Sequence, residues 1–244
     1  MRRLGGIVAA LVLFGAAPLV AQCLYCFGKN KVQYQAFDFH IIQTEHFEVY
    51  YYPAERSAAL DGARIAERWY ARLSRVLHHQ FQGRKPIIFY ASQSDFQQTN
   101  IVDATGEGLG GVTEFFKHRM VLPFTGAYEE LEHVVGHEMV HQFQYDVFSR
   151  GRIGAGIQTY VNINPPLWFM EGMAEYLSVG PIDNHTAMWL RDAAVEGHLP
   201  TLQELSYDEV FPYYFGHAIW AYIGEKWGDA PVLAAGAPEG GSKG

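Results

Sequence analysis

The chain has 244 residues, 49% of them hydrophobic and only 18% charged, with a formal net charge of −8. That length and apolar content allow one sizeable domain, or two small ones, around a large core, and they exclude a solvated, disordered chain. The acidic balance and the lack of any run of Lys or Arg argue against nucleic acid as a partner.

Arg2 and Arg3 precede an uncharged stretch from Leu4 to Val20, and Ala21 is a small residue ahead of Gln22. This pattern predicts a signal peptide over residues 1–21, cleaved near Ala21, with export to the periplasm, the cell envelope or the medium. A retained anchor is the alternative, but the run is short for a span and is broken by Gly5, Gly6, Gly15 and Pro18. Cleavage would remove Arg2 and Arg3 and take the net charge from −8 to −10. Cys23 and Cys26 form a lone C-x-x-C at the expected mature N-terminus. They could close a small disulfide loop in an oxidising compartment; a redox motif or a zinc ligand pair is the other reading.

Val32 to Tyr52 alternates apolar and polar residues and predicts two strands with a turn near Gln43–Glu45. After Pro53, residues 54–79 carry apolar side chains at helical spacing with i,i+4 charge partners, which predicts a long amphipathic helix. Lys85 to Ser92 reads as a short strand. Residues 106–124 begin with glycines and continue as one strand ending at Pro123. A helix is then expected from Tyr128 to Val147. Gly151, Gly154 and Gly156 mark a flexible connection, and Pro165 and Pro166 open a helix running through Leu177. Further helices are expected over 187–196 and 215–227, and residues 234–244 read as a linker or a cut end. The fold class is therefore α+β: a small mixed sheet packed on the 128–147 helix, then a mostly helical C-terminal half, all in one domain over residues 22–233.

Residues 137–141 read HEMVH. On a helix His137 and His141 lie one above the other, with Glu138 about 100° away. Two neutral nitrogen ligands with a carboxylate beside an open position are what a zinc hydrolase needs; the competing reading is a pair of core histidines. A third ligand should come from another helix, and Trp168 to Ser178, WFMEGMAEYLS, carries Glu171 and Glu175 on one face of an otherwise apolar segment. Either both face water, or something cationic sits opposite them, because burying an unpaired carboxylate is costly. His133 lies one turn before His137. Three histidines at four-residue steps cannot all reach one tetrahedral ion, so His133 is expected in the cleft or behind the ligands. His217 reads as a core or cap histidine, with a place in the pocket as the alternative.

HEMVH followed by WFMEGMAEY resembles the gluzincin metallopeptidases, which include thermolysin-like endopeptidases and zinc aminopeptidases. The resemblance implies a zincin-like fold, one zinc ion per chain held by His137, His141 and Glu171, and Glu138 as general base. It also implies that Glu175 fixes the orientation of a ligand histidine. Residues 142–170 form a longer connection than the better-known members use, consistent with an insertion over 149–166. GGVTE, at 110–114, is similar to the edge-strand motif of the aminopeptidases. That likeness implies an exposed edge strand along which an extended peptide lies, with Gly111 at the substrate and Glu114 gripping its amine. The residue after Glu114 is Phe115, where that motif has Asn, so a solvated strand glutamate is the alternative. PYYFG, at 212–216, is similar to the aminopeptidase segment whose tyrosine stabilises the oxyanion, a role that falls on Tyr213 with Tyr214 as rival. FGKNKVQY at 27–34, DFQQTN at 95–100, HEMVHQFQYD at 137–146 and LWFMEGMAEYLS at 167–178 look like the peptidase-like N-terminal domain of exported bacterial proteins that continue into a Tol-type β-propeller, a likeness that implies a cell-envelope or β-propeller partner.

The function expected from these residues is zinc-dependent hydrolysis of peptide bonds. A catalytically idle module for protein interaction in the envelope, and a zinc hydrolase of a non-peptide substrate, are the rival readings.

Overall fold

The computed structural model describes residue 31 and residues 34–100, 110–149, 165–206 and 211–228. The expected signal peptide, Cys23 and Cys26, most of the glycine-bearing connection after Ser149 and the tail over 234–244 lie outside the described residues. Among the described residues no helix is long and apolar enough to cross a membrane.

The protein is α+β, with a five-stranded mixed sheet followed by a mostly helical half. Strands β1 (His40–Gln43) and β2 (Phe47–Tyr51) form the expected antiparallel hairpin, although residues 34–39, expected within the first strand, are not strand. Helix α1 (Arg56–Val76) then crosses over to β3 (Lys85–Tyr90), which runs parallel to β2. A one-turn helix α2 (Gln93–Phe96), capped by the Ser92 hydroxyl accepting from Asp95 N–H, precedes β4 (Val112–Glu114) and β5 (Arg119–Pro123). The order is β1-β2-β3-β5-β4, so β4 is an edge strand among the described residues.

The segment expected as one strand up to Pro123 is in fact a hairpin: β4 turns back onto β5 through residues 115–118, pairing Thr113 with Met120. His118, at φ 47°, supplies the left-handed step that a glycine would normally advertise.

Alternation places Phe47, Val49 and Tyr51 of β2, and Lys85, Ile87 and Phe89 of β3, on one buried face. α1 lies on this face with no room for a side chain at Gly62, where a Cβ would come within 2.6 Å of the Phe89 ring. Helix α3 (Tyr128–Ser149), carrying HEMVH, is buried on all sides from Val135 to Gln144. It meets α1 at Gly136, where a Cβ would lie 2.6 Å from Trp69, and the Trp69 indole N–H donates to Glu132 O at 3.0 Å.

The C-terminal half consists of α4 (Leu167–Val179), α5 (Asn184–Val195) and α6 (Pro212–Trp227). α5 starts earlier than expected because Asp183 caps it, accepting from Thr186 N–H at 2.6 Å. α6 starts at Pro212, not Phe215, because proline fits the first helical turn; Tyr213 and Tyr214 are therefore helical.

α4 and α6 cross backbone to backbone. A Cβ on Gly172 would lie 2.3 Å from the carbonyl carbon of Gly216, and one on Gly216 would lie 2.4 Å from Trp168 O. This crossing brings Tyr213, three residues before Gly216, alongside Glu171. Gly172→Ala should therefore lower stability by about 1–3 kcal/mol through overpacking. Thermal unfolding would read this, and an unchanged midpoint would refute the close crossing.

Candidate metal centre

α3 and α4 pack side by side, so the histidine face of α3 meets the face of α4 that carries Glu171 and Glu175. His137 Nε2, His141 Nε2 and Glu171 Oε2 converge: the two nitrogens are 3.1 Å apart, and the carboxylate oxygen lies 3.2 Å from His137 and 3.1 Å from His141. A tetrahedral ion with bonds of about 2.0–2.1 Å holds its ligand atoms roughly 3.3 Å apart, so the three atoms are spaced as one such ion requires.

The opposite ring nitrogens fix the tautomers. His137 Nδ1 lies 3.0 Å from Glu175 Oε1, and His141 Nδ1 lies 2.8 Å from Gln144 Oε1. Neither oxygen can donate a proton as a carboxylate or an amide carbonyl, so each ring donates its Nδ1–H, and its Nε2 faces the shared point, where it would offer a lone pair to an ion once unprotonated. Gln144 is held in turn, its amide N–H donating to Met170 O at 3.1 Å. Glu175 thus sits where the resemblance implies. Gln144, the equivalent support for the second histidine, had only a weak signal in the sequence: it lies three residues after His141, within one helical turn.

His133 Nε2 lies 3.3 Å from Glu175 Oε2, with its side chain 42% exposed. It therefore stands behind the ligands at the rim of the cleft. The grouping of His133, His137 and Glu175 shares His137 with the ligand set through the other ring nitrogen, which is engaged with Glu175.

Glu138 faces the edge strand. The Thr113 hydroxyl lies 2.6 Å from Glu138 Oε2 and 3.0 Å from Glu138 O; having one proton, it serves the carboxylate at the shorter distance. Gly111 permits this approach, since a Cβ there would lie 2.6 Å from Leu122 Cδ2 and 3.1 Å from Glu138 Cγ. Thr113 was not singled out in the sequence, although strand alternation puts it on the same face as Gly111. Glu114 points to the other face and pairs with Arg119 across the hairpin, with Lys117 3.7 Å away. Its carboxylate is engaged within the hairpin.

The two tyrosines separate. The Tyr213 ring stacks on His137 with centroids 5.8 Å apart, and its phenol has Glu171 as a hydrogen-bond partner. Burial, with the charges of Glu171 and Glu138, pushes that phenol far above its usual value, so it remains a proton donor. Tyr214 instead stacks on Trp189 of α5 at 5.7 Å. His217 is a core histidine: its Nε2–H donates to Gly180 O and its Nδ1 accepts from the Thr186 hydroxyl, both at 2.7 Å.

The charges are strongly coupled. Burial acts to lower the His137 pKa, but hydrogen bonds to Glu171 and Glu175 outweigh it and raise it from 6.5 to about 10. His141 is raised too, because the charge of Glu171 overcomes the burial of the ring. Burial would raise both carboxylates, yet His141 and His137 hold Glu171 well below the usual range, and His133 and His137 hold Glu175 at about 2. The sign of the pH dependence follows. Pairing to a protonated His137 stabilises the metal-free protein fully below pH 6.5 and is lost as pH rises through about 10. Metal-free protein should lose thermal stability across that window, while an ion held at this point would need both rings unprotonated and would bind more tightly as pH rises. Calorimetry near pH 7 in buffers of different ionisation enthalpy should show protons released on zinc binding; none released would contradict the assignment.

No protein-family model matches the chain, and a search of curated proteins returns no significant match.

Proposed function

We propose that the protein is a zinc-dependent peptidase of gluzincin type with a zincin-like fold, acting outside the cytoplasm. The observation that carries the reading is the convergence of His137 Nε2, His141 Nε2 and Glu171 Oε2, with both histidine tautomers fixed from behind. Oxygen and imidazole donors in this spacing suit zinc, which when bound would polarise a water and the scissile carbonyl.

The chain's own groups do the rest. Glu138, held through one carboxylate oxygen by Thr113, uses the other to take a proton from the attacking water and passes it to the leaving amine. Tyr213, kept protonated by its surroundings, donates its phenolic hydrogen to the oxyanion that develops on the scissile carbonyl. The edge of β4, unpaired among the described residues, would supply backbone donors and acceptors to an extended substrate, which favours peptides over other hydrolysable compounds. The leader-like residues 1–21 support an exported protein, and the likeness to propeller-bearing envelope proteins supports a partner there.

Elemental analysis of the purified protein and of Glu171→Ala, alongside digestion of a mixed peptide library, tests the reading. About one zinc per chain, sharply reduced in Glu171→Ala, together with cleavage by the unaltered protein, is the expected result. Stoichiometric zinc without cleavage would leave a zinc-holding binding module; no zinc would mean that the two histidines are a core feature.

A further inference from the structure

Solvent exposure rises along one line of side chains leading out of the centre. His141 is the deepest, with 8% of its side chain exposed; His137 follows at 11%, Glu175 at 15% and His133 at 42%. The three histidines stand at four-residue steps on α3 and form one row, with the His133 and His137 ring centroids 6.3 Å apart. Glu175 joins the outer two. Its Oε1 lies 3.0 Å from His137 Nδ1, and its Oε2 lies 3.3 Å from His133 Nε2.

The outer contact is poorly aligned as a hydrogen bond. Although much of the His133 ring meets solvent, its Nε2 is covered and has no aligned hydrogen-bond partner among the described residues. A nitrogen and a carboxylate oxygen at this separation, not pointing at each other, have the spacing of two ligands of one tetrahedral ion. His133, His137 and Glu175 are close enough together to share a cation. His137 Nδ1 is taken by Glu175 Oε1, so His133 Nε2 and Glu175 Oε2 are the atoms left to bind, and water must complete the shell. Two protein ligands hold an ion more weakly than three.

We propose that His133 Nε2 and Glu175 Oε2 form an entry site: a second, weaker position for a divalent cation that imidazole suits, zinc above all, through which the centre is loaded and emptied. The proposal rests on the metal-centre reading and adds the route to it. An ion bound for the centre must exchange its water for three side chains that are each less than a fifth exposed. A stop at the rim, with part of the water kept, divides that exchange into two smaller steps. The carboxylates of Glu138, Glu171 and Glu175 draw cations to the same mouth, as a cleft lined by one sign of charge does.

An entry site changes both rates of exchange and leaves the equilibrium alone, which a merely supporting role for His133 would not do. Stopped-flow mixing of zinc with metal-free protein, followed by a zinc-sensitive dye, reads uptake; transfer of loaded protein into excess chelator reads release. In His133→Phe, which keeps a ring and loses both nitrogens, uptake and release should each slow by about tenfold or more. The affinity of the first equivalent should stay as it was. Calorimetric titration with zinc should show a second, weaker equivalent in the unaltered protein. That equivalent should be missing in His133→Phe and kept in His198→Phe, an exposed histidine beyond the end of α5. Any loss of first-equivalent affinity in His133→Phe would make His133 a support for Glu175 and overturn the entry site. Unchanged rates, or no second equivalent in the unaltered protein, would overturn it as well. Failure of the unaltered protein to bind a first equivalent would overturn the metal reading, and the entry site with it.

Discussion

On the proposed peptidase reading, Glu138→Gln should lower peptide turnover by about 10²- to 10⁴-fold while leaving zinc content unchanged. The carboxylate is not among the converging ligand atoms, so metal affinity has no reason to depend on it. A glutamine retains the shape and can still accept from Thr113 through its carbonyl oxygen, but it cannot take a proton. The companion substitution is Thr113→Val, which keeps the volume and removes only the donor. Without the 2.6 Å hydrogen bond the carboxylate is free to swing about its side-chain torsions. A displacement of about 1 Å at a reacting group can cost 10²-fold, so kcat should drop by roughly 10- to 100-fold, with KM little changed. Thr113→Ser restores the donor and should recover most of the rate. Steady-state kinetics on any peptide the protein cleaves decides the matter. Turnover surviving in Glu138→Gln would remove Glu138 from the mechanism, and equal losses in Thr113→Val and Thr113→Ser would assign Thr113 to packing.

How far these features were legible in the sequence depends on the distance over which each is encoded. His137, Glu138 and His141 share one helical turn, so a five-residue string carries their geometry. Glu171 and Glu175 were legible through burial: two carboxylates on an apolar helix need a cationic or metal partner, and α4 places both against the histidines. The β4–β5 hairpin was hidden because its turn uses Phe115, Phe116, Lys117 and His118, with no glycine or proline to mark it. Read as one strand, the segment gives Thr113 no special place; folded back on β5, it puts that hydroxyl on Glu138. The choice between Tyr213 and Tyr214 needed the start of α6 and the Gly172–Gly216 crossing, which join two segments far apart in the chain. Periodicity reports which face of an element is buried, but not which residue of another element it meets.

The second large effect lies behind the centre. Asp146, five residues after His141 on α3, is fully buried and accepts from Lys85 Nζ at 2.5 Å and His79 Nε2 at 2.7 Å, with His118 Nδ1 at 3.9 Å. Lys85 is there because β3 alternation puts it on the core face with Ile87 and Phe89. The cluster ties α3, β3 and the segment after α1 to one point, with His118 of the β4–β5 turn packed beside it. Asp146→Ala leaves the Lys85 ammonium buried without its counter-ion and should cost about 3–5 kcal/mol. At the size of this chain that is a fall of roughly 10 °C in Tm. Lys85→Met combined with Asp146→Leu removes both charges and should cost much less than Asp146→Ala alone; a cost equal to the sum of the single changes would mean that packing, not charge, is at stake. The pH dependence has a fixed sign. Burial would raise the Asp146 pKa, but His79 and Lys85 pull it below its usual 3.8. Its contribution is therefore complete above that value and is lost as pH falls through the depressed one. Acid unfolding followed by circular dichroism should show this step in the unaltered protein and not in the double variant. Zinc affinity measured on the folded double variant should match that of the unaltered protein, because Asp146 touches none of the atoms that converge at the proposed centre; a weaker affinity would mean that the cluster positions α3 for it.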